Sequence, residues 1–150
     1  QGRLMRSRVL TETDDGKVWL LVLETGEEVK QTLEAFAAAQ KIEAASFFAL
    51  GAFRRATIGY FQWDRKTYRN IPVDEQVEVI TLAGDIVRDE KGGPSLHAHT
   101  VLGREDGSTR GGHLMQAIVR PTLEVTLTPS PAHLVRRKHP ELGIALIEPA

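Results

Sequence analysis

The chain has 150 residues, a net charge of -1 and no cysteine. One domain fits that length, and it can bury roughly two-thirds of its unfolded surface without covalent staples. A disulfide scaffold, thiolate metal sites, iron–sulfur clusters and cysteine nucleophiles are excluded. No apolar run approaches the roughly 20 residues of a membrane-spanning helix, and the charge balance draws the molecule as a whole to neither nucleic acid nor an anionic membrane.

Gln1-Gly2 stands where an initiator Met would and reads as a scar of tag removal. No signal-peptide pattern follows, so the expected location is the cytoplasm.

Met5–Leu10 and Lys17–Leu23 read as two strands joined at Asp14-Asp15-Gly16, a strong hairpin turn. Alternation puts Arg6 and Arg8 on one face of the first strand and Met5, Ser7 and Val9 on the other. Thr25-x-x-Glu28 offers a capping box, with Glu27 and Glu28 in the first turn of a helix. Val29, Leu33, Phe36, Ala37 and Gln40 follow at helical spacing, which predicts one amphipathic helix over residues 27 to 40. Lys41 sits where a helix C-terminus favours a cation.

Strands follow from Ser46 on. Phe47–Leu50 is a short apolar run punctuated by Gly51, and Ala56–Phe61 is another strand, ended by a turn around Asp64-Arg65-Lys66. Val77–Leu82 is a third, and Asp89–Pro94 is a loop. Ser95–Leu102 and Leu114–Val119 read as strands joined by a polar connection, Arg104–Gly112. Leu123–Thr128 alternates cleanly until Pro129 and Pro131 end it, and Gly143–Ile147 is the last strand. One helix among many strands predicts a single α+β domain, residues 4–148, with a largely antiparallel or mixed sheet packed against that helix.

The chemistry concentrates in Leu96-His97-Ala98-His99-Thr100 and Gly111-Gly112-His113-Leu114. Residues two apart on a strand share a face, so His97 and His99 stand side by side. A hairpin through Arg104–Arg110 brings His113 next to them. Three imidazoles with an open fourth position suit zinc and several other divalent metals; the alternative is three hydrogen-bonded or solvent-facing histidines. The two glycines before His113 permit close backbone packing.

Other polar residues carry weaker signals. Glu78 alternates with Val77 and Val79 and so faces away from them. It is a candidate general base or a partner orienting a histidine, or else a surface glutamate or half of an ion pair with Arg54. Arg54 is a candidate for holding an anionic substrate or a carboxylate. Glu124, His133 and His139 read as surface residues, and Asp14 and Asp15 belong to a turn. Arg136-Arg137-Lys138-His139 reads as a solvated basic loop which, with Arg6 and Arg8, has only salt-sensitive phosphate contacts to offer. Nucleophile-elbow, phosphate-loop and dinucleotide-binding fingerprints are absent.

Taken in order, Gly51-Ala-Phe-Arg54, Ala56-Thr-Ile-Gly-Tyr60, Glu78-Val-Ile-Thr-Leu-Ala-Gly84, Gly93-Pro-x-Leu-His97-Ala-His99, Asp106-Gly107 and Gly111-Gly-His-Leu114 resemble the plants-and-prokaryotes conserved (PPC) domain family. The helix and Thr122-Leu-Glu-Val125 sit in that family's order as well. The resemblance implies an α+β fold, a homotrimer, and a divalent metal, zinc first among them, held by His97, His99 and His113. It also favours a site-lining role for Glu78. Plant members of the family join the domain to AT-hook segments that bind DNA. Here Thr109-Arg110-Gly111-Gly112 does not match an AT-hook core, so DNA remains a partner by family label only. Two functions stay open: a binding or regulatory module for DNA, protein or a small ligand, and a metal-dependent enzyme acting on a small anion, with Glu78 or Arg54 assisting.

Overall fold

A computed structural model describes residues 4–130 and 134–149. The elements run β1 (Arg6–Thr13), β2 (Gly16–Glu24), α1 (Val29–Ala39), β3 (Ala44–Gln62), β4 (Thr67–Val73), β5 (Val77–Asp89), β6 (Pro94–Gly103), β7 (Thr109–Pro129), β8 (Val135–His139) and β9 (Ile144–Glu148). The molecule is mostly sheet, and its pairings are antiparallel except for a short parallel contact between β5 and β8. No helix among the described residues is long and apolar enough to cross a membrane.

The β1–β2 hairpin turns through Asp14 and Asp15 as expected, with Thr13 opposite Gly16. The helix starts differently from the predicted capping box. Glu28 itself is the N-cap, and its carboxylate accepts from the Gln31 amide at 2.9 Å. Thr25 donates instead to the Pro121 carbonyl, and Glu27 accepts from the Met5 and Glu24 amides. Val29, Leu33, Phe36 and Ala37 of α1 are buried in the same core cluster as the inward residues of the sheet. The Phe36 ring meets Trp19 of β2 edge-on at 5.1 Å.

Two strands are far longer than their apolar runs. β3 passes through Gly51, because a register shift at Ala49/Gly51 absorbs the irregularity. A Cβ at Gly51 would lie 2.2 Å from the Thr122 carbonyl oxygen, so glycine here serves close strand approach rather than a chain break. β7 likewise joins the two predicted strands 114–119 and 123–128 through Pro121, where the pairing with β3 shifts.

β3 pairs with β5, β5 with β6, β6 with β7, and β7 with β3 again, which closes a ring of strands. Phe53, Leu82, Leu102 and Leu114, one from each of these strands, are buried in the core. Outside the ring, β4 lies on β3, and the β8–β9 hairpin attaches to the end of β5. β4 went unread in the sequence because Arg69, Asn70 and Pro72 interrupt its pattern; an outer strand tolerates them.

Arg136–His139, predicted as a solvated loop, is strand β8. Strand alternation turns Arg136 inward, where it is 7% exposed and bonds Asp85 of β5. Arg137 points outward to Glu148 at 3.0 Å.

Candidate metal centre

Period-two alternation on β6 turns Leu96, Ala98 and Thr100 into the core and leaves His97 and His99 on the outer face. The β6–β7 hairpin turns at 104–108, and β7 is already paired from Thr109. That register sets His113 directly across from His99. Gly112 permits this arrangement: a Cβ there would lie 2.6 Å from the Gly59 carbonyl oxygen on β3. His113 is in turn paired with Gly59.

One ring nitrogen from each of His97, His99 and His113 lies within 4.8 Å of the other two. The Nε2 atoms of His97 and His99 are 3.2 Å apart. Ring centroids are separated by 5.0 Å for His97–His99, 4.9 Å for His97–His113 and 5.7 Å for His99–His113. His99 is exposed, and the other two are half-buried.

Burial and positive neighbours both discourage protonation here. The His113 pKa falls to about 4, first through desolvation and then through His97, His99, Lys30 and Arg136. His97 is lowered by burial, by Arg136 and by His99, against an opposing pull from Asp85. Neutral imidazole is the form that binds metal. His113 Nδ1 is buried and has no hydrogen-bond partner among the described residues. An orphaned nitrogen beside two further imidazoles is a donor set that fits a divalent ion of borderline softness.

The histidines line a cavity of about 930 Å³. The β3–β4 hairpin walls it with Tyr60, Phe61 and Tyr68, and β9 walls it with Ile144 and Leu146. Tyr68 stacks on His113, and burial raises the pKa of its hydroxyl. Arg136 lines the cavity near His97, with its Nη2 donating to Asp85 and to the Ser95 carbonyl.

Glu78 and Arg54 are not part of this cavity. Glu78 is exposed and paired with Gly103, four residues along β6 from His99, or about 13 Å of strand. Arg54 is exposed on β3, five residues before Gly59, and no ion pair joins it to Glu78. Glu124 is exposed as expected. His139 is half-buried, with its two ring nitrogens 3.2 Å from Glu141 and 3.4 Å from Glu148. His133 lies outside the described residues. Sequence reasoning missed Tyr68, Asp85 and Arg136. The signal available for Arg136 was the strand-like Val135–His139 segment, in which Arg136 is buried while Arg137 and Lys138 are exposed.

Among solved structures, the chain is similar to a plant- and prokaryote-conserved protein of Pyrococcus horikoshii, with a TM-score of 0.84 and 32% identity over 90% of this chain and 93% of that one. A Ralstonia eutropha protein provisionally named as DNA-binding gives 0.83 and 32%, over 93% and 95%. A metal-containing protein of Archaeoglobus fulgidus gives 0.80 and 31%, over 96% and 97%. The bifunctional protein GlmU of two Synechococcus strains is 28% identical over 124 and 116 residues. The chain spans only 18% and 17% of the length of those two proteins. The model of the Plants and Prokaryotes Conserved (PCC) domain matches residues 10–131, and the chain belongs to that family.

Proposed function

We propose that this chain is a cytoplasmic binding module in which His97, His99 and His113 hold one divalent ion, zinc by preference, and that three copies assemble into a homotrimer. The observation that carries the metal reading is the convergence of three ring nitrogens within 4.8 Å on paired strands. The metal-containing relative from Archaeoglobus adds support. Three nitrogen ligands leave zinc a fourth position for water or a ligand. When bound, the ion supplies a Lewis-acidic positive charge in the cavity that the histidines line. The enzyme alternative relied on Glu78 and Arg54, which lie outside the cavity; the binding module needs neither.

Metal content after extensive dialysis tests this reading. The parent should retain close to one equivalent of zinc. His99→Ala should weaken binding by more than the roughly 10–100-fold that loss of an outer partner of a ligand costs. His139→Ala should leave it intact. A parent that takes up no zinc, manganese or nickel rules the reading out.

Assembly is supported by the outer face of the sheet. Phe48, Leu50 and Ile80 are 59%, 54% and 54% exposed there, and Leu50 lies opposite the β5 bulge that carries Ile80. Neighbouring apolar side chains of this size call for a partner surface. Light scattering at micromolar concentration should give three times the 16.6 kDa chain mass; a monomer mass refutes the trimer.

The Ralstonia relative's name raises duplex DNA as a partner. Of the cations that the sequence offers for phosphates, Arg6 is engaged by Glu24, Arg136 by Asp85 and Arg137 by Glu148, which reduces the charge that set can present. Nanomolar, sequence-specific binding at about 0.15 M salt would contradict this.

A further inference from the structure

The cavity over the histidines has two chemically different kinds of lining. Its walls are apolar, built from Tyr60, Phe61, Tyr68, Leu96, Ile144 and Leu146. The three imidazoles and Arg136 line the same cavity. No aspartate or glutamate lines the cavity among the described residues. Asp85, opposite His97 in register, is engaged by Arg136.

That composition has an electrostatic consequence. Neutral imidazoles contribute no charge, so a divalent ion held by them keeps its full positive charge against apolar walls. Such a charge is costly until an anion joins it. Arg136 is balanced by Asp85, so it adds direction to the site more than net charge. Hydroxide alone would offset part of the charge but would leave the apolar walls against water. The volume, about 930 Å³, is that of a small-molecule site rather than of a single water.

We propose that the cavity takes a small organic anion with an apolar, ring-sized body. The anionic head lies at the histidines beside Arg136, and the body lies against Tyr60, Phe61, Ile144 and Leu146. This inference rests on the metal reading above.

Cobalt(II) is the probe, because its visible absorption changes when a ligand enters its coordination sphere. The cobalt-loaded protein is titrated with benzoate, with acetate and with benzamide. Benzoate should change the spectrum and bind at least about tenfold more tightly than acetate, because only benzoate buries a ring. Benzamide has the same shape without the charge and should bind at least about tenfold more weakly than benzoate. Tyr60→Ala removes an exposed ring from the wall with little risk to folding, and should narrow the benzoate-to-acetate ratio at least about twofold. If the protein takes up cobalt and none of the three compounds alters the spectrum, this proposal fails while the metal reading stands. If neither cobalt nor zinc, manganese or nickel is taken up, both fail. Equal affinity for benzoate and acetate overturns the apolar body, and equal affinity for benzoate and benzamide overturns the anionic head.

Discussion

The Tyr68 ring lies against the His113 ring, with centroids 4.4 Å apart and planes tilted by 31°. Metal-binding histidines commonly have one nitrogen fixed by a hydrogen bond to an outer partner. Among the described residues no hydrogen bond fixes the orphaned His113 Nδ1, which stays available as a donor, so the stacked Tyr68 ring is expected to orient the imidazole instead. Tyr68→Leu should therefore lower metal affinity about tenfold, the lower end of what outer partners contribute. Tyr68→Phe keeps the ring and should keep the affinity. Competition with a chromophoric chelator measures both; equal loss in the two variants would assign the role to the hydroxyl instead.

Gly112 holds β7 close to β3 beside the site. Gly112→Ala would place a methyl 2.6 Å from a backbone oxygen, and neither strand can yield without loosening the His113 register. The expected cost is about 1–3 kcal/mol, read as a drop in Tm of several degrees. Gly93→Ala has open space and should change Tm little. A neutral Gly112→Ala would mean that the pairing is softer than its geometry implies.

Asp85 compensates a guanidinium that is almost wholly buried. Asp85→Ala leaves Arg136 charged and unpaired, a change that costs about 3–5 kcal/mol in buried pairs. Asp85 is itself partly exposed, so the lower end applies. The loss should appear first in the C-terminal hairpin, which Arg136 fastens to β5, as faster amide exchange over residues 135–148. Asp85→Ala with Arg136→Met should recover part of the stability. No recovery in the double variant would show that the pair's packing, not its charge, holds the hairpin.

Stability without metal should depend on pH through His113. Its folded pKa, about 4, lies below the ordinary value of 6.5. The unfolded chain therefore takes up a proton near pH 6.5 that the folded chain refuses until about pH 4. Stability is complete above pH 6.5 and is lost progressively as pH falls toward 4. His113 is only about half-buried, and solvent screening reduces the effect to the order of 1 kcal/mol. Thermal melts of the chelator-treated protein between pH 7.5 and 4 should show the decline, and His113→Gln should flatten it.

The histidine cluster was legible in the sequence because strand alternation and hairpin register are local rules. The HxH pair required only period two, and His113 required only a short turn. The long strands were less legible. Gly51 and Pro121 look like chain breaks, yet each lies where pairing shifts and a non-local neighbour decides the geometry. Arg136 was misread for a related reason. A run of cations looks solvated until a strand sends one of them toward a carboxylate fifty-one residues away. Glu78 shows the opposite limit: alternation gave its outward direction correctly, but four further residues of strand take it away from the histidines.

The ring formed by β3, β5, β6 and β7 gives each of its strands two partners within the ring. Of the outer strands, β4 and β9 only wall the cavity beside the histidines, and β1 contributes nothing to its lining. Small metal-dependent domains often fold only as the ion arrives, so chelation unravels them. A closed ring with its own buried core does not wait for an ion. Removing a ligand from these histidines should empty a seat and leave the chair standing.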